Sequence, residues 1–225
     1  MKITRIVAIT LGLVLNNTTV ALSCPCSEMK LPSAPPESAT YELGLNFSKT
    51  SQYKREFLNA VHSAKAYCVK YKREHPEETN LAIVSDIDET VLDNRPHFRR
   101  HPERNWEVFD KWLQESKAPV LQPTYDFLKW AREQGFAIFF VTGRPEADRK
   151  PTIINLVRNQ ISYDGLYLRE KHGGPPAEIY KTAVREQIEK MGFKIVVNIG
   201  DQFSDLVGEH SLDCEKLPNK MYFIK

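Results

Sequence analysis

Three continuous apolar runs most constrain what this chain can become: LAIV at 81–84, FAIFFV at 136–141 and KIVVNIG at 194–200. Each has the length of a strand and little alternation of polar with apolar residues. Each therefore reads as a strand covered on both faces, the situation found in a parallel sheet. Shorter runs, GLYL at 165–168 and MYFI at 221–224, read as further strands. Between them, TYDFLKWAREQ, TIINLVRNQ and EIYKTAVREQIEKMG have the pattern of helices. Ahead of the first run, Phe57, Val61, Ala64, Tyr67, Cys68 and Tyr71 mark one face of a helix from Ser51 to Arg73. Strands alternating with helices predict an α/β fold with a mainly parallel sheet.

Open parallel sheets bind ligands at the carboxyl ends of their strands. DIDET follows the first long run, TGR the second and GDQFSD the third, and all three are small and polar. In SDIDETVLDN, Asp86, Asp88, Glu89 and Asp93 stand directly behind a buried strand. Neighbouring carboxylates repel, so such a cluster needs a cation, a shared proton or open solvent. Asp86 and Asp88, two apart, leave an extended chain on the same side. Asp201, at another strand end, could converge on them, with Asp205 one helical turn further. Oxygen ligands with a deficit of positive charge suit Mg²⁺, which binds few carboxylates and keeps several waters. Lys181 is a further cation that would offset the crowding.

DIDET, VTGR, a lysine about twenty residues before the last motif, and GDQFSD resemble the four motifs of the haloacid dehalogenase-like (HAD) phosphatases. YDGLYLRE, YKTAVREQIEKMGFKIVVNIGDQFSDLVG and KLPNKMYFI extend the resemblance to the acid phosphatases of subfamily IIIB, a group that also holds plant vegetative storage proteins. The resemblance covers roughly residues 50–225. It implies a Rossmann-like HAD core with helices on both faces of the sheet and a small helical cap. By the same resemblance, Asp86 would attack phosphorus to give an aspartyl-phosphate, and Asp88 would protonate the leaving alcohol and later deprotonate water. Thr142 and the backbone N–H groups around Gly143 would hold phosphate oxygens, and Lys181 would neutralise charge. Mg²⁺ would sit on the Asp86 carboxylate, the Asp88 carbonyl and Asp201, with Asp205 supporting it. Arg144 binds either phosphate or a nearby carboxylate. Thr90 matches the motif or caps a turn, whereas Glu89 and Asp93 read as solvated or capping residues.

The activity this implies is that of an exported Mg²⁺-dependent acid phosphatase acting on small phosphate monoesters. Its rivals are a storage or binding protein of the same fold, and a phosphotransferase that delivers phosphate to an alcohol. In NWEVFDKWLQ, Trp106, Phe109 and Trp112 recur at three-residue steps, either packed on the core or overhanging an aryl or nucleoside leaving group.

The amino terminus carries a different signal. Lys2 and Arg5 precede an apolar stretch from Ile6 to Leu15 and a small-residue pattern before Cys24. This stretch is too short to span a bilayer, which takes about 20 residues, and it has the zones of a signal peptide over 1–23 with cleavage near Ser23. A lipid anchor at Cys24 has weak support, because Ala21 stands where such sites carry Leu. Removing Lys2 and Arg5 from the 31 basic residues leaves 29 against 29 acidic ones. That balance gives no basis for binding a nucleic-acid polymer or inserting stably into a membrane.

Residues 24–48 read as an extended lead-in, 49–225 as the phosphatase-like domain and 91–135 as its cap insertion. Export permits disulfides among Cys24, Cys26, Cys68 and Cys214, with a bridge to Cys68 or Cys214 favoured over the very small Cys24–Cys26 ring. His75, His97, His101, His172 and His210 sit in polar stretches and read as surface or loop residues.

Overall fold

The computed structural model describes Cys26 and residues 29–32, 39–171 and 173–224. The expected signal peptide, Cys24 and His172 lie outside the described residues. Five strands, β1 (Leu81–Ser85), β2 (Ala137–Pro145), β3 (Gly165–Arg169), β4 (Lys194–Gly200) and β5 (Asp213–Lys216), pair in parallel in the order β3-β2-β1-β4-β5. The chain thus leaves β1 towards β2 and β3 on one side, then returns to β4 and β5 on the other. The crevice at the carboxyl end of β1, where the direction of winding reverses, is where such a sheet binds ligands.

Alternation along the strands divides the core between two faces. Ile83, Ile138 and Phe140 pack with Phe57, Ala64 and Cys68 of α2 (Ser51–Glu74) and with Leu128 and Ala131 of α5 (Gln122–Glu133). Ala82, Val84, Phe139 and Val141 pack on the other side with Val184 and Ile188 of α7 (Ala177–Lys190). Ala82 pairs with Ile195 but Ile83 with Val197, so Val196 is the extra residue of a bulge in β4. The bulge puts Ile195 and Val197 on opposite faces, although they are two residues apart.

Three boundaries differ from the sequence reading. The lead-in is not extended throughout, because Tyr41–Phe47 form α1, capped by the Thr40 hydroxyl accepting from Leu43 N–H at 3.1 Å. Seven residues are too few to show a helical period. The 91–135 stretch is not all set apart from the core: it holds α3 (Arg95–Arg100), α4 (Trp106–Glu115) and α5, and Trp112 and Leu113 of α4 join Phe127, Leu128 and Ala131 of α5 in the main core. MYFI is not a strand, and the fifth strand is DCEK at 213–216. An edge strand needs little apolar patterning, which conceals it in the sequence.

Cys26 is joined to Cys214 of β5 by a disulfide spanning 188 positions, with Cα atoms 5.3 Å apart, while Cys68 is a buried free thiol in α2. Replacing Cys26 by Ser is expected to lower unfolding stability by about 2–5 kcal/mol in oxidising buffer. Urea denaturation with and without reductant checks this. Wild type and variant should differ without reductant and converge with it; equal midpoints in both buffers would show that the bridge does not form.

Candidate active site

The first strand ends in a turn that folds back on itself. Val91 and Leu92 N–H donate to Ile87 O, at 3.0 and 2.9 Å, and Glu89 N–H donates to Leu92 O. Glu89 adopts a left-handed backbone (φ 54°) to make that turn. The result holds the carboxylates of Asp86 and Asp88 at the mouth of a cavity of about 570 Å³ at the carboxyl end of the sheet. Gly143, Arg144, Lys181, Asp201 and Asp205 also line it.

Lys181, buried on α7, donates to Asp86 Oδ1 at 2.6 Å and to Asp205 Oδ1 at 2.7 Å. Asp205 lies on α8 (Phe203–Leu206), and its Oδ2 accepts from Gln202 N–H at 2.7 Å. Both Asp205 oxygens are therefore engaged. A Cβ on Gly200 would come within 2.4 Å of Asp205 Oδ2, so only glycine lets this carboxylate lie against the end of β4. Asp201 Oδ2 accepts from Gln202 Nε2 at 2.6 Å and from Asn219 Nδ2 at 2.5 Å. The Thr90 hydroxyl lies 3.4 Å from Asp86 Oδ2 and 3.3 Å from Asp201 Oδ1.

The donor set fits a divalent cation. Oxygens of Asp86, Asp201 and Asp205 all lie within 4.8 Å of one another. Across the cluster, the carboxylates of Asp86, Asp88, Asp201 and Asp205 face three cations, Lys181 and Arg144 in direct contact and Lys216 further off, a deficit of positive charge. Burial pushes Asp86 well above the ordinary carboxylate range; Lys181 counteracts this, while Asp205, Asp201 and Asp88 reinforce it. Burial and then Asp205 push Asp201 up to about 6. Lys181 is raised as well: burial disfavours its charge, but Asp205 and Asp86 outweigh it and keep the ammonium strongly protonated.

Arg144 resolves an alternative left open by the sequence. Its Nε and Nη2 donate to the two oxygens of Asp88 at 2.9 and 2.6 Å, and its Nη1 donates to Thr152 Oγ1 at 3.0 Å. The guanidinium grips a carboxylate, the second of the two alternatives. Burial alone would raise Asp88, but Arg144 and the Asn94 amide more than offset it and hold the carboxyl below its ordinary range. In the absence of a metal, Asp86 is thus held up and Asp88 held down, the reverse of what a nucleophile and a general acid require. The Asp88–Arg144 contact, across 56 positions, has no sequence signature.

Thr142 is buried in the second half of β2, its hydroxyl accepting from Arg144 N–H at 3.2 Å, and Gly143 beside it is exposed at the cavity. Asp93 caps Arg95 N–H at 2.9 Å and pairs with its guanidinium, matching the capping role, although it is buried. Glu89 is not solvated. It is buried, accepts from Asn94 N–H at 2.9 Å and from the Tyr222 hydroxyl, and burial followed by Asp88 and Asp201 hold it well above its ordinary range. His97 is likewise buried, and desolvation then His101 lower it to about 4.

The aromatic stripe of α4 divides between two roles. Trp112 is buried in the core, whereas Phe109 and the 52% exposed Trp106 line the cavity with Tyr41, Phe98 and Tyr222. The segment after β5 crosses the site, since Ser204 Oγ donates to Ile224 O at 3.1 Å and Ile224 N–H to Gln202 Oε1 at 2.9 Å. Asn94, Gln202 and Asn219 are site residues that sequence reasoning missed. Single amides in polar loops give no periodic signal.

The signature of a family described as HAD superfamily, subfamily IIIB (Acid phosphatase), matches residues 26–225. Acid phosphatase 1 of Solanum lycopersicum is 38% identical over 150 residues, which are 63% of this chain and 58% of that protein. A Stem 31 kDa glycoprotein of Glycine max is 35% identical over 163 residues, 69% of this chain and 64% of that one. The chain thus spans about six-tenths of the length of these curated relatives. Its fold is shared with the class C acid phosphatase from Bacillus anthracis (TM-score 0.67, 22% identity, covering 81% of this chain and 85% of that one).

Proposed function

Because the chain belongs to the HAD superfamily, subfamily IIIB, we propose that it is an exported, Mg²⁺-dependent acid phosphatase that hydrolyses small phosphate monoesters through an aspartyl-phosphate. The observation that carries this reading is the meeting of Asp86 with Lys181, Thr90 and Asp201 at one strand end, beside an open cavity. In this reading a carboxylate oxygen of Asp86 attacks phosphorus as the bond from phosphorus to the ester oxygen breaks. Asp88 gives its proton to the leaving oxygen and later removes one from the water that attacks the phosphoenzyme. Asp88 must be protonated for the first step, so part of the Arg144 pairing is surrendered as the acid forms. Thr142 and the N–H groups around Gly143 hold phosphate oxygens, and Lys181 offsets the negative charge shared by Asp86 and the phosphoryl group.

Asp86, Asp201 and the Asp88 carbonyl would hold Mg²⁺, which when bound supplies positive charge to the nucleophile and phosphoryl oxygens. Asp205, with both oxygens engaged, would keep Lys181 in place and support Asp201. The Cys26–Cys214 bridge supports export, because disulfides persist in oxidising compartments. Among the described residues no helix is long and apolar enough to cross a membrane.

The direct test is turnover of p-nitrophenyl phosphate and a nucleoside monophosphate with Mg²⁺ and with EDTA. Turnover restored by Mg²⁺ is expected, and none in any combination would favour a storage protein of the same fold. Asp201→Asn should raise the Mg²⁺ concentration for half-maximal rate by about tenfold or more while altering the rate at saturating metal much less. A metal titration of rate reads this directly. An unchanged half-saturation point would remove Asp201 from the ligands.

A further inference from the structure

Asn94 stands at the amino end of α3, wholly buried, between the catalytic turn and the cap. Its Nδ2 donates to Asp88 Oδ1 at 2.8 Å and lies 3.5 Å from Glu89 Oε2, while its Oδ1 accepts from Trp112 Nε1 on α4 at 2.8 Å. An indole N–H can only donate and a carboxylate can only accept, so both ends of the amide are specified. Trp112 must face the oxygen, and Asp88 must face the nitrogen. Turning the amide over would set N–H against N–H on one side and oxygen against two carboxylates on the other.

We propose that Trp112 and Asn94 form a positioning pair in which the indole fixes the orientation of the Asn94 amide, and the amide fixes the Asp88 carboxyl for proton transfer. This rests on the phosphatase reading given above. Arg144, anchored on Thr152, ties Asp88 to the β2 side of the site, whereas the amide ties Oδ1 to α3 and, through Trp112, to α4. As the leaving oxygen approaches, the second oxygen, Oδ2, is the one that can turn from Arg144 and carry the proton, with Oδ1 still held. The helix that supplies Trp112 also presents Trp106 and Phe109 to the cavity. One element thus both meets the organic part of the ester and orients the group that protonates its leaving oxygen.

The test uses Trp112→Phe, Asn94→Ala and the double variant, each confirmed folded by near-ultraviolet circular dichroism. Trp112→Phe keeps an aromatic ring in the core while removing the donor and some volume, and Asn94→Ala removes the acceptor without touching that ring. Each single variant is expected to slow phosphoenzyme formation from an alkyl phosphate about tenfold or more in a rapid-quench assay, with smaller loss in that step on p-nitrophenyl phosphate, whose leaving group needs little protonation. KM should move less than about twofold. The double variant should be no slower than Asn94→Ala, since the indole acts only through the amide. A readout independent of turnover is the Trp112 indole N–H in ¹⁵N NMR of the metal-free protein, expected to be protected from exchange in the wild type and released in Asn94→Ala. Losses that multiply in the double variant, losses equal on both substrates, or an unprotected indole in the wild type would each overturn the pair. Failure of the wild type to turn over either substrate, with the indole protected, would instead sink the phosphatase reading and the positioning role with it.

Discussion

Asp86→Asn is expected to lower turnover by roughly four orders of magnitude or more, the scale seen when a nucleophile is deleted. An amide is a poor nucleophile, and the substitution also removes a metal-binding oxygen. The fold should survive, because the change also removes a negative charge from among Asp88, Asp201 and Asp205. Thermal unfolding in EDTA should therefore stay level or move upward. Rate and melting temperature together are decisive: retention of more than a trace of activity would end the aspartyl-phosphate mechanism, and a large fall in stability would show that Asp86 is chiefly structural.

Lys181→Met should damage both activity and stability. The ammonium is buried and bridges Asp86 and Asp205, so its loss leaves two buried carboxylates without their shared cation. Breaking a buried pair in this way costs about 3–5 kcal/mol. The pH dependence has a definite sign. Asp86 is already raised in the folded protein, so the native state binds more protons than the unfolded chain, and this contribution to stability falls as pH rises above the unfolded value. Without Lys181 the rise grows larger. The deficit should accordingly be smallest in mild acid, where the carboxyls can take up protons, and grow towards neutrality. Urea denaturation in EDTA across that range checks it, and a deficit independent of pH would mean that Lys181 contributes mainly through packing.

The central strands were legible in the sequence because a strand covered on both faces has no choice but to be apolar. β1, β2 and β4 therefore announced themselves, and the polar residues behind them marked the site. β5 did not, being an edge strand of mostly polar residues, and α1 lacked the length to show a period. Within the site, Asp86, Asp201 and Asp205 converge behind their strands, and Lys181, singled out by its place before the last motif, meets them from α7. What stayed hidden was pairing at a distance. That Arg144 would hold Asp88, that Asn219 would orient Asp201, or that Trp112 would reach Asn94 depends on how the loops close. The misjudged Glu89 is of the same kind, since only the left-handed turn and the Tyr222 hydroxyl bring that carboxyl indoors.

The strand order has a bearing on how the protein comes into being. β1 is made early but pairs with β2, some fifty residues later, and with β4, more than a hundred residues later. The Cys26 thiol must wait for Cys214, and Asp201 waits for Asn219. Contacts so distant in sequence make for slow folding, because loop closure precedes their reward. During synthesis, a chain emerging amino end first can therefore complete neither its five-stranded sheet nor its carboxylate cluster until residues beyond 200 have appeared. Cys214 lies in the last strand, so the disulfide can close only once β5 has been made, and the bridge ties the start of the described chain to its end.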